Sequence, residues 1–151
     1  MTILQSIGDY IGQQPEFHGY DIYYSTGQIT ANTEFPCICI SIGYADDNSE
    51  KGAIDYNCRD FYRNIGIKYY TKTKEPGEVE NELMDFDETL INALSKVYPA
   101  DLNEHLVNIS YVGSQPTQLI YTQPFRQNFK AEVMASIVTV NYELQYLIEG
   151  E

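Results

Sequence analysis

The last segment of the chain, residues 134–148, carries apolar side chains at nearly every second position. One predicted face holds Met134, Val138, Val140, Tyr142, Leu144, Tyr146 and Ile148. A two-residue period is that of a β-strand, and strands usually have about 5–6 residues. We therefore expect this strand to extend beyond its own sheet and to offer part of its length, or its edge, to a neighbouring subunit. A chain cut after Tyr142 is expected to fold but to assemble poorly.

Length and charge limit the possible classes of protein. The 151 residues, 43% of them hydrophobic, suit a single domain, 1–151, with one core. The net charge of −13 argues against a protein that holds nucleic acid phosphates, because such binding needs clustered Lys and Arg. An acidic wall would let DNA slide past without sticking, but simple solubility accounts for a charge of this sign equally well.

Cysteine usage and hydropathy indicate in which cellular compartment the protein is made and assembled. Cys37, Cys39 and Cys58 cannot all pair within one chain and form no C-x-x-C, which indicates a reducing compartment. The N-terminus has no basic region followed by an apolar one, and no window reaches about 18 uninterrupted apolar residues. We expect assembly in a cytoplasm and no membrane partner.

Periodicity predicts an α+β single domain with a largely antiparallel twisted sheet and long hairpins. Thr2 is expected to cap a short N-terminal helix that ends before Pro15. Residues 78–96 form the main amphipathic helix, which packs with the short one on the sheet. Strands are predicted at 18–24, 35–44, 56–70, 106–112, 119–121 and 134–148. The polar segments 25–34, 45–54, 113–117 and 122–130 are expected to be loops.

No arrangement of residues typical of catalysis is found. His18 and His105 are the only histidines, and Glu104-His105 lacks the second histidine of H-E-x-x-H. The carboxylates of the 78–96 helix are expected to face solvent with ordinary acidity. We predict no catalytic residue and no cofactor.

Two patterns raise the question of a metal site. Cys37 and Cys39 share a strand face and could join Cys58, but no fourth ligand is in sight, so we interpret them as buried core residues. The segment 46–52 differs from a calcium loop because Gly52 comes one residue late and Asn57 stands in place of the bidentate glutamate. A weak divalent-ion site there stays open as an alternative, and we predict no metal.

With this order of elements, nearly the whole chain resembles the tail terminator family of long-tailed bacteriophages. The resemblance rests on Phe35-Pro36-Cys37-Ile38 at the start of a strand, a hairpin through residues 65–69, the helix end at 90–94, and the terminal strand around 135–142. These are core patterns rather than a signature. Residues 122–130 depart most from the family.

The resemblance implies a virion protein that caps the head-proximal end of the tail tube as a hexameric ring. Such a ring stops tube polymerisation and docks the neck or head completion protein, while DNA passes through its lumen without specific binding. We expect contacts with neighbouring subunits or the tube at Asp46, Asp47, Glu50, Lys51, Phe125, Arg126, Phe129, Tyr142, Tyr146 and Ile148. The alternatives are another connector, head completion, neck or tail tube protein, and, more distantly, a small metabolite-binding or enzymatic α+β domain.

Overall fold

The structure is a computed structural model of the chain. It describes the backbone of residues 2–30, 33–42, 50–54, 58–72, 77–124 and 130–149, and the side chains of residues 2–30, 33–42, 62–72, 77–118 and 135–146. Within these ranges the chain forms one six-stranded sheet with helices packed against it. The predicted α+β fold is confirmed.

Helix α1 spans Ile3–Gln13 and helix α2 spans Glu78–Ser95, close to their predicted bounds. Thr2 caps α1 as expected: its Oγ1 accepts a hydrogen bond from the Gln5 amide at 3.2 Å, and the Gln5 Oε1 accepts one from the Thr2 amide at 3.1 Å. This reciprocal capping satisfies two backbone donors that the first helical turn leaves without a partner. Gly77 precedes α2 with a φ of 96°, a left-handed conformation that glycine adopts without strain. A third helix, α3, is short and spans Pro99–Leu102.

The strands are β1 (Asp21–Tyr23), β2 (Cys37–Ile42), β3 (Glu50–Ile54), β4 (Cys58–Lys72), β5 (Leu106–Pro124) and β6 (Lys130–Glu149). Their order in the sheet is β1-β2-β4-β6-β5, and β3 also pairs with β4. Only the β1–β2 pair is parallel among the described strands. The sheet is therefore largely antiparallel, as predicted.

The terminal strand lies inside the sheet: both of its sides are paired over residues 135–146, so along this length it has no free edge to offer to a neighbour. β6 pairs with β5 through residues 130–146 and with β4 through residues 135–149. Its length follows from having two long partners in the same chain. At about 3.3 Å per residue it spans about 60 Å, whereas a compact domain of this size has a radius of gyration of about 15 Å. The two ends of β6 therefore reach well beyond the core.

Two predicted loops are strands. Residues 50–54, expected to lie in a surface loop, form β3 and pair with β4 through Glu50–Phe61 and Ile54–Arg59. The polar residues 113–117 continue β5, so one 19-residue strand replaces the two predicted at 106–112 and 119–121. Thr122–Pro124 also belong to β5, and Lys130 begins β6. In each case pairing along a neighbouring strand overrides a weak local preference.

The main core lies between the helices and one face of the sheet. Its buried residues come mainly from α1, α2, β2, β4 and the even-numbered positions of β6, and include Ile7, Leu90, Ile40, Ile67 and Val140. These are the apolar stripes that periodicity predicted. Tyr10 of α1 ties the two helices together, because its hydroxyl donates a 2.7 Å hydrogen bond to the Ala93 carbonyl of α2.

A second, smaller core covers part of the opposite face. Ile29 lies over Cys37, Cys39, Tyr70, Ala135 and Ile137, and the Phe35 ring stacks on Tyr70 with centroids 6.0 Å apart. The interpretation of Cys37 and Cys39 as core residues is confirmed, since both are fully buried. The segment that precedes β2 thus covers part of the sheet face that lies opposite the helices.

Alkaline pH is expected to destabilise the fold through these thiols. Burial raises the pKa of Cys37 to about 12 and that of Cys39 to about 11 from the ordinary 9.0. The unfolded chain loses these protons first, so stability that is fully present below pH 9 declines as the pH rises towards the folded-state values. We expect the free energy of unfolding to fall by about 4 kcal/mol between pH 9 and 11, measured by chemical denaturation under reducing conditions. A variant with alanine at both positions should fall less, and equal slopes would contradict this assignment.

Candidate assembly edge

The outer edge of β5 is the longer of the two edges at the ends of the strand order, since β5 has 19 residues and β1 has three. β5 lies at the end of the strand order and pairs with β6 on one side. On its other side no strand of the described residues pairs with it. A strand in this position presents backbone N–H and C=O groups that another chain can pair with.

The sequence of β5 lacks the usual protection of such an edge. None of its 19 residues is Asp, Glu, Lys, Arg or His, although 21% of the chain is Asp, Glu, Lys or Arg. Monomeric proteins commonly place charges, lysine above all, on edge strands to prevent pairing between molecules. An uncharged edge of this length is therefore open to pairing with another chain.

Part of the edge is nevertheless blunted. The pairing of β5 with β6 shifts between Leu106 and Asn108 and again between Tyr111 and Gly113, and such bulges disturb an edge locally. Pro116 lacks a backbone N–H. The register is unbroken from Gly113 to Pro124, so the longest regular and proline-free window is Thr117–Gln123, which lies between two prolines.

Exposed apolar side chains lie beside the blunted part of the edge. Val107 is 51% exposed, Tyr111 45% and Val112 62%. The ring of Tyr111 meets that of Tyr142 edge to face, with centroids 5.8 Å apart, and Tyr111 shares a 2.7 Å hydrogen bond with Ser114. The Ser114 hydroxyl donates to the Asp87 carboxylate of α2 at 2.5 Å. This network ties the first half of β5 to α2, while Val107 and Val112 stay exposed.

The residues predicted to contact neighbouring subunits or the tube lie in several different parts of the structure. Tyr142 is 3% exposed and belongs to the chain's own core, so its assignment to a subunit contact is wrong. Tyr146 is half-buried and packs against that core. Ile148 pairs with Arg59 through the backbone, and Glu50 and Lys51 belong to β3. Asp46, Asp47, Phe125, Arg126 and Phe129 lie outside the described residues.

The described residues also bear on metal and membrane sites. They contain no group of three or more His, Cys, Asp or Glu close enough to hold a metal ion. The Nε2 of His105 lies 3.3 Å from a carboxylate oxygen of Glu104, and both side chains are exposed. No helix in the described part of the chain is long and apolar enough to cross a lipid bilayer.

The sequence matches no protein-family model and no curated protein. The site is therefore interpreted from its own geometry.

Sequence reasoning missed β5 as the edge, although one signal was present. The run from Leu106 to Pro124 is free of charge, and the prolines at 116 and 124 mark the limits of its regular part. Periodicity drew attention to the terminal strand instead, because that strand is more apolar. An apolar alternation indicates burial, whereas the absence of charge from a long strand indicates an edge without the usual protection against pairing.

Proposed function

We propose that copies of this protein join through the outer edge of β5 into a ring, and that the ring caps the head-proximal end of the tail tube of a long-tailed phage. The observation that carries the assembly part is the uncharged 19-residue edge strand with three exposed apolar side chains. The phage context rests on the resemblance of the chain to tail terminators.

The proposed mechanism depends on complementary surfaces that bind one another and involves no catalytic step. Backbone pairing along Thr117–Gln123 would supply the regular part of each subunit contact, and Val107 and Val112 would bury apolar surface beside it. The ends of the long β4–β6 and β5–β6 pairs extend past the core. They are the parts of the chain best placed to reach the tube on one side and the neck on the other.

Charge suits passage of DNA through such a ring. Helix α2 carries acidic residues and no basic one, namely Glu78, Glu80, Glu82, Asp85, Asp87 and Glu88. If the acidic side of α2 lines the lumen of the ring, it repels the phosphates and keeps DNA from adhering. The sign of the charge agrees with the absence of specific nucleic acid binding in the proposal.

Native mass spectrometry of the purified protein, alone and with tail tubes, tests the proposal. A closed hexamer of about 104 kDa, six times 17.3 kDa, that binds tube ends and stops their growth is the expected result. Open-ended polymers of the protein alone would assign it to the tube instead. A ring that ignores tubes but binds another neck component would assign it to a different connector. A monomer that ignores tubes would overturn the assembly proposal altogether.

A further inference from the structure

The proposed ring needs a second contact surface in addition to the outer edge of β5. Identical subunits close into a ring when one surface of each copy binds a different surface of the next copy. If β5 paired with β5 of another copy, the contact would have two-fold symmetry, and assembly through it would stop at a dimer. In the ring, the β5 edge must therefore bind a different part of the neighbouring chain.

β1, β2 and β3 form the side of the sheet opposite to β5, and within the described residues each leaves one side unpaired for part of its length. β1 lies at the end of the strand order, and β3 pairs with β4. β4 pairs with all six residues of β2, whereas β1 pairs only with residues 37–39. The remaining residues, Ile40–Ile42, are the open half of β2.

β1 and β3 have features that protect an edge strand from pairing. β1 has only three residues and begins with Asp21. β3 contains Glu50 and Lys51, and its pairing with β4 shifts between Glu50 and Ile54, as at a bulge. β2 contains no charged residue, and its register with β4 is unbroken. The open half of β2 therefore lacks the usual protection, as the β5 edge does.

The side chains of the open half of β2 suit a contact that buries apolar surface. Ile40 is fully buried, whereas Ile42 is 56% exposed. Ile42 pairs with Ile65 of β4, which pairs with Tyr142 of β6, and both of these partners belong to the main core. Ile42 thus lies on the same face of the sheet, at the margin of that core. A strand placed beside it would remove apolar surface from water, which is favourable.

The directions of the strands also suit a contact between β5 and β2. β2 is antiparallel to β4, β4 to β6, and β6 to β5, so β2 and β5 run in opposite directions. A rotation about the ring axis leaves the direction of a strand along that axis unchanged. In a ring whose strands follow the axis, β5 of one copy therefore meets β2 of the next as an antiparallel pair, the more stable kind.

We propose that the open half of β2 binds the β5 edge of a second copy of this chain, a contact that rests on the proposed function and names its missing surface. Each copy then gives one uncharged edge and receives another. When the contact repeats around the ring, neither edge is left free to pair with other proteins.

Variants that block one edge at a time test this contact. Gln118→Pro removes an outward N–H of β5. In β2, consecutive residues direct their backbone groups to opposite sides, so one of Ser41→Pro and Ile42→Pro removes an N–H on the open side, and the other disturbs the pairing with β4. Thermal unfolding identifies the first as the more stable of the two. Ile42→Lys is a second block, because it places a protective charge at an exposed edge position.

Native mass spectrometry of the blocked variants, alone and mixed, is the deciding measurement. Each variant alone is expected to be monomeric, with its contact weakened at least ~100-fold. Gln118→Pro keeps its open half of β2, and the β2 variant keeps its β5 edge. Their mixture is therefore expected to form a 1:1 dimer of about 35 kDa, twice 17.3 kDa, that grows no further. Labelling one variant with ¹⁵N distinguishes this dimer from a pair of identical chains.

The outcomes separate this contact from the ring itself. One contact lacks the closure of a ring, so the mixture is measured over a range of rising concentration. Hexamers of undiminished stability in the β2 variants would overturn the role of β2 and leave the proposed ring standing. Dimers of a β2 variant alone would show that β5 pairs with β5, and a mixture that stays monomeric would equally overturn the proposal. A monomeric unmodified protein would contradict the proposed function, and this contact with it.

Discussion

Replacing Gln118 by proline is expected to give a folded monomer in place of the proposed hexamer. Residues along a strand direct their backbone groups alternately to the two neighbouring strands. Pro116 has no N–H to donate, and proline within sheets places its nitrogen on the free side of edge strands. Because the register is unbroken from Gly113 to Pro124, Gln118 shares this outward orientation. Proline there removes an outward donor and leaves the pairing with β6 intact.

The effect on association should be large. A lost donor and a ring placed in the pairing edge are expected to weaken each contact at least ~100-fold, which is about 3 kcal/mol. Analytical ultracentrifugation and native mass spectrometry measure the oligomer, and thermal unfolding measures the fold. Hexamers of undiminished stability in the Gln118→Pro variant would show that this edge is no subunit contact.

Thr117→Pro is the matched control for this prediction. Thr117 pairs with Ile137 of β6, and the same alternation directs its N–H inward. Proline at this position is expected to leave a buried carbonyl of β6 without its donor and to lower the free energy of unfolding by about 1–3 kcal/mol. The neighbouring substitutions thus separate assembly from folding. A reversed pattern would mean that the orientation inferred from Pro116 is wrong.

Cutting the chain after Tyr142 is expected to abolish the native fold, which revises the expectation drawn from the sequence. The cut removes Leu144, which is fully buried in the main core. It also removes the pairing of residues 143–149 with β4 and of residues 143–146 with β5. Loss of one such leucine costs about 2–5 kcal/mol, and a domain has only about 5–15 kcal/mol in total. Circular dichroism should show a chain without a cooperative thermal transition.

A cut after Tyr146 is the informative comparison. It keeps Leu144 and the whole pairing of β6 with β5, and it removes only the pairing of residues 147–149 with Cys58–Asp60 of β4. This shorter truncation is expected to unfold cooperatively at a lower temperature than the full chain. If the chain ending at Tyr142 instead folds as stably as the full protein and only fails to assemble, β6 serves the interface after all.

The sequence predicted the faces of the elements better than their neighbours. The three- and four-residue steps of α2 and the alternation of β6 report which side chains are buried, and Leu90 and Val140 are indeed in the core. The spacing of apolar residues does not indicate which strands are neighbours in the sheet. The central place of β6 depends on 15 paired positions with β4, residues far away in the chain. The sequence alone therefore predicts that β6 is longer than its own sheet requires.

The polar part of β5 and the hydrogen bond of Tyr69 to Glu82 escaped prediction for related reasons. Gly113–Thr117 resembles a loop locally, and only its pairing with Thr139, Val140 and neighbouring residues of β6 keeps it extended. The carboxylate of Glu82 was expected to be an ordinary solvated group. Glu82 of α2 accepts a hydrogen bond from Tyr69 of β4. A contact between two elements cannot be predicted from the periodicity of either one.

The position of β6 also has a consequence for synthesis. β6 follows both β4 and β5 in the chain and lies between them in the sheet, so neither of those strands has its long central partner until β6 has been synthesised. The nascent chain consequently carries several open strand edges, and such edges favour contacts between molecules. We expect the sheet to close only after β6 has left the ribosome, so that a product terminated before β6 never acquires the surface through which subunits would recognise one another.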